Sequence, residues 1–153
     1  MNIGQPAPRF TAPDREGKQI GIDDFADRWL VLYFYPKDNT PGCTTQAIEF
    51  TSNLAQFQDL NTQIVGISPD SIASHGKFID KQKLGITLLS DPEHQIAEDY
   101  GVWQLKKFMG KEYMGIVRST FLIDPSGKIA YIWSPVKVKN HVDTVLAQVK
   151  IQS

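Results

Sequence analysis

The 153-residue sequence predicts an α/β fold, in which helices flank a mixed sheet, and three observations carry that expectation. Trp29 to Tyr35 is a continuous apolar and aromatic run, long enough for a buried strand and too short for a helix. After it, a strand–helix alternation recurs: a helical stripe from Cys43 to Phe57, a buried strand over Gln63 to Ser68, then another helix. Finally, Ser119 to Ile123 and Lys128 to Trp133 alternate as strands. Asp124-Pro125-Ser126-Gly127 joins them with a strong hairpin-turn signal. Crossover helices imply parallel neighbours and the hairpin implies antiparallel ones, so the sheet is mixed.

Taken in order, residues 1–9 are Pro-rich and expected to be extended. Phe10 to Ala12 and Gln19 to Ile22 flank the turn-rich Pro13 to Lys18, which predicts a small N-terminal hairpin. Ile22 to Phe25 reads as a short helical turn before the central strand. Cys43, Ala47, Phe50, Leu54 and Phe57 recur at four- and three-residue steps, as on one face of a helix. Pro69-Asp70-Ser71 opens a helix to about Lys83, with Ala73, Phe78 and Ile79 as its apolar positions. Thr87 to Leu89 is a short strand, and Pro92 to Tyr100 a helix with Ile96, Ala97 and Tyr100 inward. Residues 101–117 have no regular pattern. Asn140 or His141 starts the last helix, striped by Val142, Val145, Leu146 and Val149. With no repeat, low-complexity stretch or linker, residues 1–153 are expected to form a single domain.

Composition narrows the function. The 41% hydrophobic content is that of an ordinary globular protein, and a formal net charge of −1 gives no electrostatic case for nucleic acid or anionic membrane. The sole cysteine rules out an intramolecular disulfide and any cysteine-rich metal site. His75, His94 and His141 are scattered, are expected on the surface, and make a poor metal site, so no metal or cofactor is expected. There is no leader-like n-region with an apolar core and no apolar run of membrane-spanning length. A reducing, cytoplasmic setting is expected.

Chemistry concentrates in Tyr35-Pro36-Lys37-Asp38-Asn39-Thr40-Pro41-Gly42-Cys43, where a strand hands over to a helix. Thr40 is a good N-cap, and Pro41 falls at the first helical position, where its missing N–H costs nothing. Cys43 is then the third helical residue, among orphan N–H groups at the positive end of the helix dipole, a setting that favours thiolate. The competing reading is structural. A free cysteine usually packs as a small hydrophobe, and Cys43 lies on the apolar stripe of its helix.

Pro36-x-x-x-Thr40-x-x-Cys43 resembles the active-site signature of peroxiredoxins, thiol peroxidases of the thioredoxin superfamily. The fuller string Phe-Tyr-Pro-Lys-Asp-Asn-Thr-Pro-Gly-Cys-Thr is similar to the Q-type, or bacterioferritin comigratory protein, subgroup. Shorter matches at Asn2 to Pro8, Gly66 to Asp70, Leu88 to Pro92 and Arg118 to Asp124 follow in the family's order. The resemblance implies a thioredoxin-like mixed sheet flanked by helices, with an N-terminal β-hairpin extension. It implies that Cys43 attacks hydrogen peroxide or an organic hydroperoxide and becomes a sulfenic acid. Pro36, Thr40 and Arg118 would hold the substrate, with Thr40 and Arg118 also catalytic. Read alone, Thr40 could be only a cap, Pro36 a strand terminator and Arg118 a solvated surface charge.

Two positions depart from the family pattern. Where many Q-type members carry a resolving cysteine, five residues after the first, this chain has Ile48, so an external thiol such as thioredoxin, glutaredoxin or glutathione must complete the cycle. Where the family commonly has Glu, it has Gln46, which keeps hydrogen-bonding capacity without the negative charge. The resemblance suggests a monomer or weak dimer. A one-cysteine thiol transferase acting on mixed disulfides, or a non-catalytic thioredoxin-like binding module, are the alternatives.

Overall fold

The computed structural model describes residues 1–153. Its centre is a five-stranded mixed sheet in the spatial order β5-β4-β3-β8-β9. In this sheet β3 is Trp29–Phe34, β4 Thr62–Ser68, β5 Thr87–Ser90, β8 Ser119–Ile123 and β9 Ile129–Trp133. Strand β3 runs parallel to β4, and β4 to β5. On its other side β3 pairs antiparallel with β8, and β8 with β9.

The apolar run of β3 is buried on both faces because successive side chains alternate across the sheet. Leu30, Leu32 and Phe34 enter one core, with Phe10, Val65, Ile67, Tyr100 and Phe121. Val31, Tyr33 and Tyr35 enter the other, with Cys43, Ala47, Phe50, Phe57, Phe78 and Val145. Each such side chain contributes about 1.5–3 kcal/mol by leaving water, so this strand anchors both layers.

The second face is covered by helices α1 (Pro41–Ser52), α2 (Leu54–Asp59), α3 (Ile72–Gln82) and α5 (His141–Gln152). The first is covered by α4 (Gln95–Asp99) and the N-terminal segment. That segment includes the expected hairpin of β1 (Thr11–Pro13) and β2 (Gln19–Gly21), which pair antiparallel. A 3₁₀ turn at Ile22–Phe25 leads into β3.

Several local expectations are corrected. The stripe from Cys43 to Phe57 belongs to two helices, because Asn53 leaves the helical conformation and its side-chain amide donates to the Glu49 carbonyl. Such local side-chain bonding competes with the helical ladder. The helix expected from Pro92 is shorter, since His94 adopts positive φ (49°) before α4 begins. In α3, Ala73 is exposed and His75 takes an inward place beside Phe78.

Residues 101–117, without pattern in the sequence, form a two-stranded ribbon of β6 (Trp103–Phe108) and β7 (Lys111–Ile116). Its two turn residues, Met109 and Gly110, both have positive φ (51° and 80°), the geometry that matches hairpin twist. Met in place of the usual Asn or Asp hid the turn. Leu105, Phe108, Met109 and Met114 point to solvent, so no alternation marked the strands.

Candidate active site

The handover from β3 to α1 sets the position of Cys43. Tyr35 continues the ladder for one residue, its N–H donating to Ile67. Pro36 then ends it, having no N–H to give. Pro41 opens α1, and the first intrahelical bond runs from Thr44 N–H to the Thr40 carbonyl. The N–H groups of Gly42 and Cys43 precede that bond, at the positive end of the helix. Cys43 is 2% exposed.

Arg118, in the link between β7 and β8, reaches the same point. Phe34 pairs with Ser119 across β3 and β8, so the residue before Ser119 falls beside the end of β3, where α1 begins. Its Nη2 donates to Cys43 Sγ at 3.2 Å and its Nη1 to Gln46 Oε1 at 2.7 Å. A Cβ built on Gly42 would lie 3.3 Å from Arg118 Nη2, so glycine gives the guanidinium its room. Arg118 is half-buried and makes no ion pair with a carboxylate, leaving its charge directed at the sulfur.

Thr40 stands at the N-cap position but does not cap. Its hydroxyl donates to the Lys37 carbonyl at 2.8 Å and makes no bond to the first turn. The hydroxyl oxygen still has acceptor capacity. Pro36 is half-buried in the same turn. The structure therefore joins Cys43 and Arg118 directly, with Thr40 and Pro36 on the adjoining turn.

Around this contact lie groups that the sequence reading did not place in the site. Gln46, one helical turn after Cys43, is fully buried, and its Nε2 has no partner. The Tyr33 hydroxyl is also buried and unpartnered. Burial first, and then negative charge at Cys43 and Asp38, push its pKa well above the ordinary value. Val138 approaches Gly42 from the segment before α5, with one methyl 3.7 Å from the same Cβ position. That segment is tied to the Arg118 region by Val136 N–H, which donates to the Arg118 carbonyl, and by the Ser119–Ser134 hydroxyl pair.

Two of the three histidines expected on the surface are buried, while His94 remains partly exposed. His75 is fully buried and His141 is 5% exposed. His141 Nε2 lies 2.8 Å from the Thr120 hydroxyl. Burial, then the positive charge of Arg118, push its pKa down from 6.5 to about 4. His75 Nδ1 lies 2.8 Å from Asp38 Oδ2, within a network that includes Tyr35, Ser68, Asp70 and Ser74. Burial pushes the Asp38 carboxyl up, but hydrogen bonds from His75, Tyr35 and Ser74 outweigh it and hold the pKa below its usual value. One donor atom each from Asp38, Asp70 and His75 lies within 4.8 Å of the others, as a cation would require. These side chains are instead engaged in hydrogen bonds to protein groups.

The arrangement can stabilise an anionic sulfur through a fixed cation and a helix N-terminus. It can also receive charge developing on a second atom bound beside that sulfur.

Comparison with known proteins gives this geometry its context. Residues 3–132 match the model of the AhpC/TSA family. Peroxiredoxin Bcp of Bacillus subtilis is 48% identical over 153 residues, covering 100% of this chain and 98% of its own. Peroxiredoxin Bcp of Escherichia coli is 43% identical over 150 residues, covering 98% and 96%. Among solved structures, a bacterioferritin comigratory protein of Xanthomonas campestris, studied for alkyl peroxide reduction, superposes with a TM-score of 0.92. It is 36% identical, with 99% of each chain covered.

Proposed function

The chain belongs to the AhpC/TSA family, and from that premise we propose that Cys43 is its peroxide-reducing nucleophile, with Arg118, Thr40 and Pro36 holding the substrate. The protein is a thiol-dependent peroxidase with a thioredoxin-like fold, of the kind represented by the Bcp peroxiredoxins. One observation carries the assignment of roles: the Arg118 guanidinium donates to the Cys43 sulfur at 3.2 Å, at the start of a helix.

The Cys43 thiolate attacks one oxygen of the peroxide. A sulfur–oxygen bond forms, the O–O bond breaks, and hydroxide or an alkoxide leaves and takes up a proton. Arg118 faces both the attacking sulfur and the oxygen on which charge develops, and it stays protonated throughout. Thr40, its proton given to the Lys37 carbonyl, accepts from the peroxide O–H and so aligns the peroxide with the sulfur. Pro36 lines the turn without an N–H that would compete for the thiolate. Cys43 is left as a sulfenic acid.

With a single cysteine in the chain, an external thiol completes the cycle. It attacks the sulfenic sulfur and water leaves, forming a mixed disulfide. A second thiol releases Cys43 and carries away the disulfide. Thioredoxin, glutaredoxin and glutathione are the proposed reductants, hydrogen peroxide and organic hydroperoxides the proposed substrates. We place the protein in a reducing cytoplasm, as a monomer or weak dimer. No helix is long and apolar enough to cross a membrane.

The test is intact-mass analysis after one equivalent of hydrogen peroxide, with and without each reductant. Cys43 should gain one oxygen and return to its starting mass when the right thiol is added. A protein that gains no oxygen, or gains it elsewhere than Cys43, would refute the assignment.

A further inference from the structure

The turn from Pro36 to Thr40 fixes where α1 begins, and within it Asp38 alone is buried, while Lys37 and Asn39 are exposed. Every polar atom of the Asp38 side chain is held from elsewhere. Oδ1 accepts from the Tyr35 hydroxyl at 2.6 Å, and Oδ2 from the Ser74 hydroxyl at 2.7 Å and His75 Nδ1 at 2.8 Å. Its backbone N–H donates to Asp70 Oδ2 at 2.8 Å. The far nitrogen of His75, Nε2, lies 3.1 Å from the Leu89 carbonyl on β5. One ring nitrogen thus faces the Asp38 carboxylate and the other the Leu89 carbonyl, with the Ser68 hydroxyl 3.5 Å from Nε2. The ring bridges the turn to the outermost parallel strand.

Such a pair is an inefficient way to add stability, because an ionised carboxylate and a polar ring must leave water. It is an effective way to fix a position, since its bonds are directional. Position matters here because Thr40 closes the turn on Lys37 and withholds the local cap that usually ties such a turn to the helix start.

We propose that the Asp38–His75 pair is a positioning element that holds the Pro36–Thr40 turn and the first turn of α1 in place around Cys43. This rests on Cys43 being the peroxide-reducing nucleophile. The two halves of the cycle then respond in opposite directions. A peroxide is small enough to react with a sulfur that is 2% exposed, and it needs the Arg118 contact intact. An external thiol, carried by a larger molecule than a peroxide, must bring its own sulfur onto the sulfenic acid of a residue only 2% exposed behind the Pro36–Thr40 turn. That attack needs the turn to move, so the pair promotes oxidation and restrains the formation of the mixed disulfide and water.

The experiment measures the two steps separately by quenched mass analysis of the full-length protein, using hydrogen peroxide for oxidation and glutathione as the thiol probe. Asp38→Asn and His75→Asn should each slow oxidation by on the order of tenfold or more and speed the thiol step several-fold. The double variant should go little further. Asp80→Asn, which removes an exposed ion pair with Arg15 on the same helix, should move neither step. A merely structural pair predicts a lower melting temperature with both steps unchanged or slowed together, and that outcome overturns the proposal. If the Asp38 and His75 variants do not fold, Ser74→Ala removes one bond to the same carboxylate and decides the matter: a smaller split supports the proposal, no split overturns it. Failure of the wild type to oxidise at Cys43 would instead sink the assignment of the nucleophile.

Discussion

Arg118 and Cys43 stand 75 positions apart in the chain and 3.2 Å apart in space, joined by a guanidinium nitrogen and a sulfur. The second terminal nitrogen of Arg118 is occupied by Gln46, which pins the planar fork in one orientation. Because Gln46 is neutral, the positive charge is not cancelled by a carboxylate. In the proposed mechanism that cation serves the thiolate and the departing oxygen.

Replacing Arg118 with Met should keep the fold and slow oxidation of Cys43 by roughly 10²-fold or more, the usual scale for one charge-stabilising donor. Lys should recover only part of the loss, because it cannot bond Gln46 and Cys43 with two fixed nitrogens. Stopped-flow oxidation, with circular dichroism as the folding control, provides the measurement. Wild-type rates in Arg118→Met would reduce the residue to a structural contact.

Position 48 should determine how the cycle closes. Residues five apart on a helix are separated by about 140° around the axis. Ile48 is accordingly 39% exposed while Cys43 is 2% exposed. A disulfide between 43 and 48 would require the start of α1 to unwind. Ile48→Cys should nonetheless lose two hydrogens after peroxide treatment, whereas the wild type persists as sulfenic acid and over-oxidises more readily when no thiol is present. A peroxide titration of both proteins with mass readout is the check. Equal resistance to over-oxidation would contradict this account.

Acid should weaken the fold through His141. Its folded pKa of about 4 lies below the ordinary 6.5, so the native state binds fewer protons than the unfolded chain in between. Stability is therefore full above about 6.5 and falls as the pH drops towards 4. The expected loss is on the order of 3 kcal/mol. Asp38, whose carboxyl is held low, adds its own loss only below that window. Urea unfolding across this range tests the slope, which His141→Gln should flatten. An unchanged slope in the variant would assign the effect to other groups.

The Tyr33 hydroxyl should be a net cost to stability. It is buried without a partner, while its ring stacks on Phe50 at 4.8 Å and fills space that only Gly66 leaves open on β4. Tyr33→Phe keeps the ring and removes the unpaired group, so the protein should gain about 1–2 kcal/mol. Denaturant unfolding decides this. A loss of stability would mean that the hydroxyl has a partner in solution.

The handover from Tyr35 to Cys43 was legible in the sequence because its determinants are local. An apolar run long enough for a strand, prolines at the strand end and first helical position, and a three–four stripe all act on neighbouring residues. Gln46 stood out only as a departure from the family pattern, and its bond to Arg118 was not legible. The path of Arg118 to the sulfur was hidden too, because it depends on β3 pairing antiparallel with β8 in one register. A shift by one residue would send the side chain to the other face. Nor could the sequence reveal that Thr40 would spend its hydroxyl on Lys37, or that the 103–116 ribbon would form around a Met–Gly turn. His75 shows the physical reason most directly. A histidine is polar and reads as surface, and its burial becomes favourable only when Asp38 and Leu89, 37 and 14 positions away, meet its two nitrogens. Tertiary packing brings those partners together, and it alone decided where that ring would lie.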